Sequence, residues 1–470
     1  MLPEGMRRTH RKVVRHVAPW PVGRRVGKVR RAFAPARPIC RAAAVAIAAL
    51  VSAPALAMDQ EKSDACPVPG TKMAQATPAA AQPAPVVAQA TPSVGQGAQT
   101  SNPAAAPPAA TAASQATPIA PEAKPAPWYE QLSVNAFVES GYLYNVNQPA
   151  DRKNALRYFD AEDNTFSISV AELTLQKTVS APGDLGFRTD LDFGGVFPER
   201  TVSAGDLPGN FDLRQGFASW VAPVGSGLRL DAGKFVTPVG YEVIDGYDNY
   251  NDNYSRSFLF NFAIPFTHTG AKLSYTVAPQ LSLMVMVANG WDSTLSKTHG
   301  KTVGGQVTVT PLEPLSIAFA YLGGSEMIGD GSKTAYRQLF DLVATYKATS
   351  WLTLGVNGDY GSEDGGSVVA TGERAVWWGG AGYVKVESPA GYGVALRGEF
   401  FRDEGGTRTG LGQPVTVYES TVTPFYKFAN RFAIRGEVRI DGSRDAIYQK
   451  KDGGGGNLQP TLALNTVFVF

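Results

Sequence analysis

The chain has 470 residues, with 43 Lys and Arg against 41 Asp and Glu, a formal charge of +2. Residues 1–57 hold 12 of the basic residues and one acid, Glu4, so the rest carries 31 basic against 40 acidic residues. The basic excess therefore belongs to a targeting segment, which excludes a nucleic-acid surface. Cys40 and Cys66 are the only cysteines, which excludes a disulfide-built core and a cysteine zinc site.

Residues 1–57 read as a secretory signal. A basic stretch ends near Arg41, a short apolar run continues through Leu50 and Val51, and Ala55-Leu56-Ala57 is an A-x-A site. Cleavage is expected between Ala57 and Met58. The basic stretch is long for a signal, so the start codon could lie further in. Residues 58–127 are rich in Ala, Pro, Gln and Thr, and Gln-Ala-Thr-Pro recurs at Gln75–Pro78, Gln89–Pro92 and Gln115–Pro118. With so few bulky side chains, nothing offsets the entropy of ordering the chain, and a disordered periplasmic spacer is predicted. Contact of this spacer with peptidoglycan is an alternative. Cys66 follows the polar Ser63-Asp64-Ala65, which argues against a lipid anchor.

At Trp128 the character changes to short segments with apolar and polar residues in alternation. Leu185, Phe187, Leu191 and Phe193 share one face, and Arg188, Asp190 and Asp192 the other. Phe432, Ile434, Val438 and Ile440 oppose Arg435, Glu437 and Arg439 in the same way. Leu228 and Leu230 alternate with Arg229 and Asp231; Leu396 and Phe400 alternate with Arg397 and Glu399. Period 2 marks strands with one apolar face. Short turns at 181–182, 222–223, 278–279, 311–314, 348–350, 388–389 and 429–430 alternate with polar linkers at 147–164, 197–210, 237–266, 291–301, 323–335, 361–373, 403–414 and 441–457. That is the pattern of an outer-membrane barrel. Seven turns and eight loops predict an all-β fold, a transmembrane antiparallel β-barrel of sixteen strands, with fourteen to eighteen open. No apolar run beyond the leader is long enough for a spanning helix. In hydrocarbon every backbone amide must be paired, so the sheet has to close, and about sixteen strands enclose a lumen wide enough for water.

The chain ends on a strand whose apolar face carries Leu462, Leu464, Phe468 and Phe470. A terminal Phe470 with Phe468 two residues before it resembles the signal read by the barrel-assembly machinery. The longest linker, 237–266, is rich in Tyr and Phe. A loop of that length and composition is expected to fold inward and narrow the channel.

Around this loop the sequence resembles the OmpL-like outer-membrane β-barrel porins. The resemblance rests on Gly233-Lys234-Phe235, Thr237-Pro238, Gly240-Tyr241-Glu242, Tyr254-Ser255-Arg256-Ser257, Ile264-Pro265-Phe266-Thr267-His268-Thr269-Gly270 and Asn289-Gly290-Trp291-Asp292. It covers the barrel and not the spacer, and implies a porin without naming a substrate.

The loop charges Glu242, Asp245, Asp248, Asp252 and Arg256 sum to −3. The expected facing wall offers Arg188, Asp190, Arg214, Arg229, Asp231, Lys272, Arg397, Glu399, Arg435, Glu437 and Arg439. Acids opposite bases predict a transverse field, favouring small hydrophilic solutes with weak cation preference. Several readings stay open. The wall charges could pair and stiffen the barrel, Asp245, Asp248 and Asp252 could ligate Ca²⁺, and the loop tyrosines could stack on sugars. An envelope anchor or adhesin acting through the spacer is the main rival function, and a substrate-specific sugar or anion channel is a variant. Only His268 and His299 follow the leader and neither sits in a nucleophile motif, so no enzyme, cofactor or metal is expected. The expected partners are outer-membrane lipid and lipopolysaccharide, the assembly machinery, peptidoglycan and, if the barrel trimerises, further copies of itself.

Overall fold

The computed structural model describes residues 127–194, 211–328, 331, 333–428 and 431–470. The expected signal with its Ala57–Met58 site, the spacer with Cys66, the linker 197–210 and the turn 429–430 lie outside the described residues.

A single turn of 3₁₀ helix at Trp128–Gln131 leads into the strands. They are β1 (Ser133–Asn145), β2 (Thr165–Lys177), β3 (Leu185–Phe193), β4 (Phe211–Ala222), β5 (Leu228–Val236), β6 (Thr267–Ala278), β7 (Leu281–Ala288), β8 (Thr302–Leu312) and β9 (Leu315–Ile328). There follow β10 (Lys333–Lys347), β11 (Leu352–Glu363), β12 (Ala375–Glu387), β13 (Tyr392–Asp403), β14 (Val415–Phe428) and β15 (Phe432–Ser443). A two-stranded ribbon, β16 (Tyr448–Gln449) with β17 (Gly455–Gly456), decorates the last long loop, and β18 (Leu458–Val469) is the final wall strand.

Each wall strand pairs antiparallel with its sequence neighbour, and β1 pairs with β18 from Phe137↔Val469 to Asn145↔Thr461. This closes a barrel of sixteen strands, β1–β15 and β18. The last residue takes part in closure: Phe470 N donates to Ala136 O at 2.8 Å. The alternation read in the sequence follows from this wall. Leu185, Phe193, Val438, Ile440, Leu462 and Leu464 are exposed outward, whereas Asp190, Asp192, Arg435, Glu437 and Arg439 are buried inward. An outward apolar band with inward polar residues suits a wall with lipid on one side.

One predicted boundary moves. The linker expected at 323–335 is mostly strand, because β9 runs to Ile328 and β10 starts at Lys333. Gly323-Gly324 reads as a break, yet these residues pair with Gln338 and Arg337. Glycine serves close approach here: a Cβ on Gly324 would lie 2.5 Å from Thr302 Cα. The other described long loops fall within a few residues of their expected positions.

A third loop that crosses the lumen

The third loop, L3, runs from Thr237 to Phe266 between β5 and β6, the span predicted from sequence. Its base is closed by Thr237 N donating to Phe266 O at 2.8 Å. The buried His268 ring stands between the Thr237 hydroxyl and Gly290 O, both at 3.2 Å.

L3 does not lie along one side of the wall. The Gly240 amide donates to Asp341 on β10 at 3.2 Å, and the Tyr241 amide donates to Asn357 on β11 at 3.3 Å. The Tyr241 ring stacks on Tyr383 of β12, with centroids 4.0 Å apart. It sits over Gly355, where a Cβ would fall 2.4 Å from the ring. Seven residues further on, the Tyr247 amide donates to Glu172 on β2 at 2.9 Å, and Arg214 of β4 donates to Asp245 O at 2.5 Å. In the ring order β2 and β10 stand eight strands apart, which in a closed ring of sixteen is diametrically opposite. Seven extended residues reach at most about 24 Å. The segment Gly240–Tyr247 is therefore a spoke across the lumen.

The chain then turns back along β15, β14 and β13. Arg435 donates to Asn251 O at 2.6 Å, and Asn253 Nδ2 donates to Thr423 Oγ1 at 2.8 Å. The Tyr254 amide donates to Glu437 at 2.7 Å, and the Phe258 amide donates to Glu399 at 2.6 Å. Ser257 starts a single π-type turn, Leu259–Ala263, by accepting the Phe260 amide at 3.0 Å. All five residues of that turn are buried, and Trp377 Nε1 donates to Ala263 O at 3.1 Å.

The predicted site charges are largely brought together, in a different role. Glu242 pairs with Arg397 at 2.6 Å, and Arg397 also pairs with Glu419 at 2.7 Å. Asp245 pairs with Arg256 inside the loop at 2.6 Å. Arg214 joins Glu172 at 2.5 Å and Asp190 at 3.3 Å. Arg435 pairs with Glu139, and Arg439 with Asp160 and Asp441. All of these are buried between loop and wall. A charge needs a partner once it leaves water, and the wall arginines face this loop for that reason. The transverse field expected from sequence is thus largely taken up in contact pairs.

Water reaches a smaller set at the turn end of the lumen. Asp248 is 47% exposed and pairs with Arg188 at 2.6 Å; Asp252 is 20% exposed and pairs with Lys385 at 2.8 Å. Arg229 is 25% exposed beside Asp231, and Lys272 lies 3.6 Å from that same carboxylate. Asp245, Asp248 and Asp252 therefore reach three separate partners and form no common oxygen cage for Ca²⁺. Among the described residues no three His, Cys, Asp or Glu are grouped for a metal.

Sequence reasoning missed the filling of the loop end. Phe159 of the first long loop sits 5.5 Å from Phe260 and 5.4 Å from Phe266, ring to ring. Phe262 meets Tyr158 at 5.1 Å and Phe401 at 5.9 Å. Arg157 pairs with Asp441 and donates to Arg256 O at 2.6 Å, and Arg408 donates to Phe262 O at 2.6 Å. Clustered aromatics in a supposedly polar linker, Tyr158-Phe159, were the available signal. Glu139 was also missed, although strand alternation places it inward after Phe137.

Two solved structures place the fold. The chain is 12% identical to OmpF of Salmonella typhi in complex with daunomycin, with a TM-score of 0.51, covering 73% of this chain and 99% of that one. It is 12% identical to the outer membrane channel DcaP of Acinetobacter baumannii, with a TM-score of 0.50, covering 72% and 97%. No curated protein matches the chain. A family model described as Putative beta-barrel porin-2, OmpL-like, matches residues 131–470, which is the whole wall with L3. The chain belongs to this family of outer-membrane β-barrel porins.

Proposed function

We propose that the barrel passes small hydrophilic solutes and ions by passive diffusion, and that L3 is the element that limits them. The observation that supports this is the spoke: a polar-walled cylinder with one loop tied to opposite sides of the wall. Solutes pass only through gaps that L3 leaves, so small size and hydration are selected before charge. Ion preference in this reading is weak and cationic, and it rests on Asp248, the most exposed acid of L3. Arg229 and Lys272 oppose it from the wall.

Two measurements test the proposal. Single-channel conductance in planar bilayers should rise severalfold when Glu242–Phe258 is replaced by a short glycine linker, since pore cross-section sets flow. Unchanged conductance would place the limiting barrier elsewhere. Asp248→Asn should move the reversal potential in a salt gradient toward anions, and no movement would remove Asp248 from selectivity.

The reading includes no enzymatic step. The His268 ring is engaged on both nitrogens in holding the base of L3. Residues 58–127 are proposed as a periplasmic spacer and Phe470 as part of the assembly signal, both on sequence grounds.

A further inference from the structure

Each acidic side chain of L3 is paired with an arginine or lysine: Glu242 with Arg397, Asp245 with Arg256, Asp248 with Arg188 and Asp252 with Lys385, and Arg435 holds Asn251 O. The root of L3 is held differently. The Gly240 amide donates to Asp341 Oδ2, and Asn357 donates to Asp341 Oδ1 at 2.8 Å while accepting the Tyr241 amide. Directly opposite Asp341 on the neighbouring strand is a second carboxyl, Asp359.

Both carboxyls are buried, at 1% and 5% exposure. Neither oxygen of Asp359 receives a hydrogen bond. Among the described residues no Lys, Arg or His pairs with either one. The facing groups on every neighbouring element bear this out. On β9 the partner of Asp341 is Ala320, and on β12 the partner of Asp359 is Gly379, against which Leu259 of L3 packs. The nearest titratable groups of L3 are Tyr241, which is stacked on Tyr383, and Glu242, which is tied to Arg397. Lys385, further along β12, is engaged with Asp252 and Glu387.

Two carboxylates facing each other across one strand pair in a dry site with no cation repel, and a carboxyl-to-carboxyl hydrogen bond needs a hydrogen on one of them. A divalent cation fits poorly, because Asn357 aims its NH₂ at Asp341 and spends its oxygen on the loop. We propose that Asp341 and Asp359 are a positioning pair for the constriction loop, sharing one proton that latches the β10 end of the spoke. Loss of that proton places two negative charges side by side, parts the strand-borne carboxyls and frees the Gly240 amide. The latch opens as pH rises and closes as it falls. This inference rests on the porin reading for its consequence, a change in flow, but not for the latch itself.

Two readouts on the full chain in detergent and in bilayers separate those questions. The first is hydrogen exchange at the Gly240 and Tyr241 amides, corrected for the intrinsic pH dependence. Between about pH 5 and about pH 9 protection should fall roughly tenfold in the wild type. It should stay constant in Asp359→Asn, which keeps a donor toward Asp341 and has no proton to lose. The second is conductance over the same range, rising in the wild type and flat in Asp359→Asn. Asp341→Leu, which removes the acceptor, should show the open behaviour at every pH. Equal pH profiles in the wild type and Asp359→Asn would overturn the latch. So would a response to Ca²⁺ or chelator in place of pH, since the pair would then hold a cation. PH-dependent exchange in a barrel without conductance would keep the latch and reject the channel.

Discussion

Arg435 and Arg229 both point into the lumen from the polar faces of their strands, yet they do different work. Arg435 is buried and holds Glu139, Asn465 and the Asn251 carbonyl of L3 together. Reversing it to Glu leaves Glu139 beside a second carboxylate, and unpairing a buried ion pair costs about 3–5 kcal/mol. Arg435→Glu should therefore lower the unfolding midpoint in urea well before it alters ion preference. Arg229 is partly in water, where an ion pair contributes at most about 1 kcal/mol. Arg229→Glu should move the reversal potential toward cations and leave stability nearly unchanged. If the two variants behaved alike in both measurements, the division into tied and water-facing charges would be wrong. Strand alternation told the sequence reader that both side chains face inward. It could not tell which would meet the loop, because that depends on contacts between residues about 180 positions apart.

Among the elements, the short connections are stiffened locally. In the turn between β2 and β3, Asp184 accepts the amides of Ser180 and Ala181 at 2.9 and 2.8 Å. These bonds favour the carboxylate and hold its pKa below the ordinary value. A group whose folded pKa is depressed adds stability above its unfolded pKa and loses it as pH falls through the folded one. Asp184→Asn should loosen the turn at neutral pH and have little effect in strong acid, read as hydrogen exchange at Ser180 and Ala181. Turn and loop positions were legible because Pro, Gly and Asn punctuate period-2 runs. L3 was legible as an element from its length and its tyrosines. Its path was not: the spoke depends on Asp341, Asn357 and Glu172, none of which stands out in sequence. The inward-turned Phe159 was hidden for a related reason, since a long polar linker gives no sign of which face of a wall it will cover.

For the whole molecule, closure of the wall decides the rest. Leu191 belongs to the outward face of β3, and an arginine in hydrocarbon near mid-membrane costs about 2–4 kcal/mol. Leu191→Arg should lower the folding free energy in lipid by that amount while conductance of the folded fraction stays as in the wild type. A change of conductance in that variant would put Leu191 inside. The strand number and topology were readable because they follow from counting alternations between turns. The degree of filling was not, because sixteen strands enclose the same cylinder whether it holds water or side chains.

A hollow tube of sheet is stiff along its hydrogen-bond ladders but soft against being squeezed into an ellipse. L3 is fastened at Asp341 and at Glu172 on facing walls, so it works as a cross-brace against that deformation. Removing it would then make the cylinder mechanically compliant, so the element proposed to restrict traffic also keeps the vessel round.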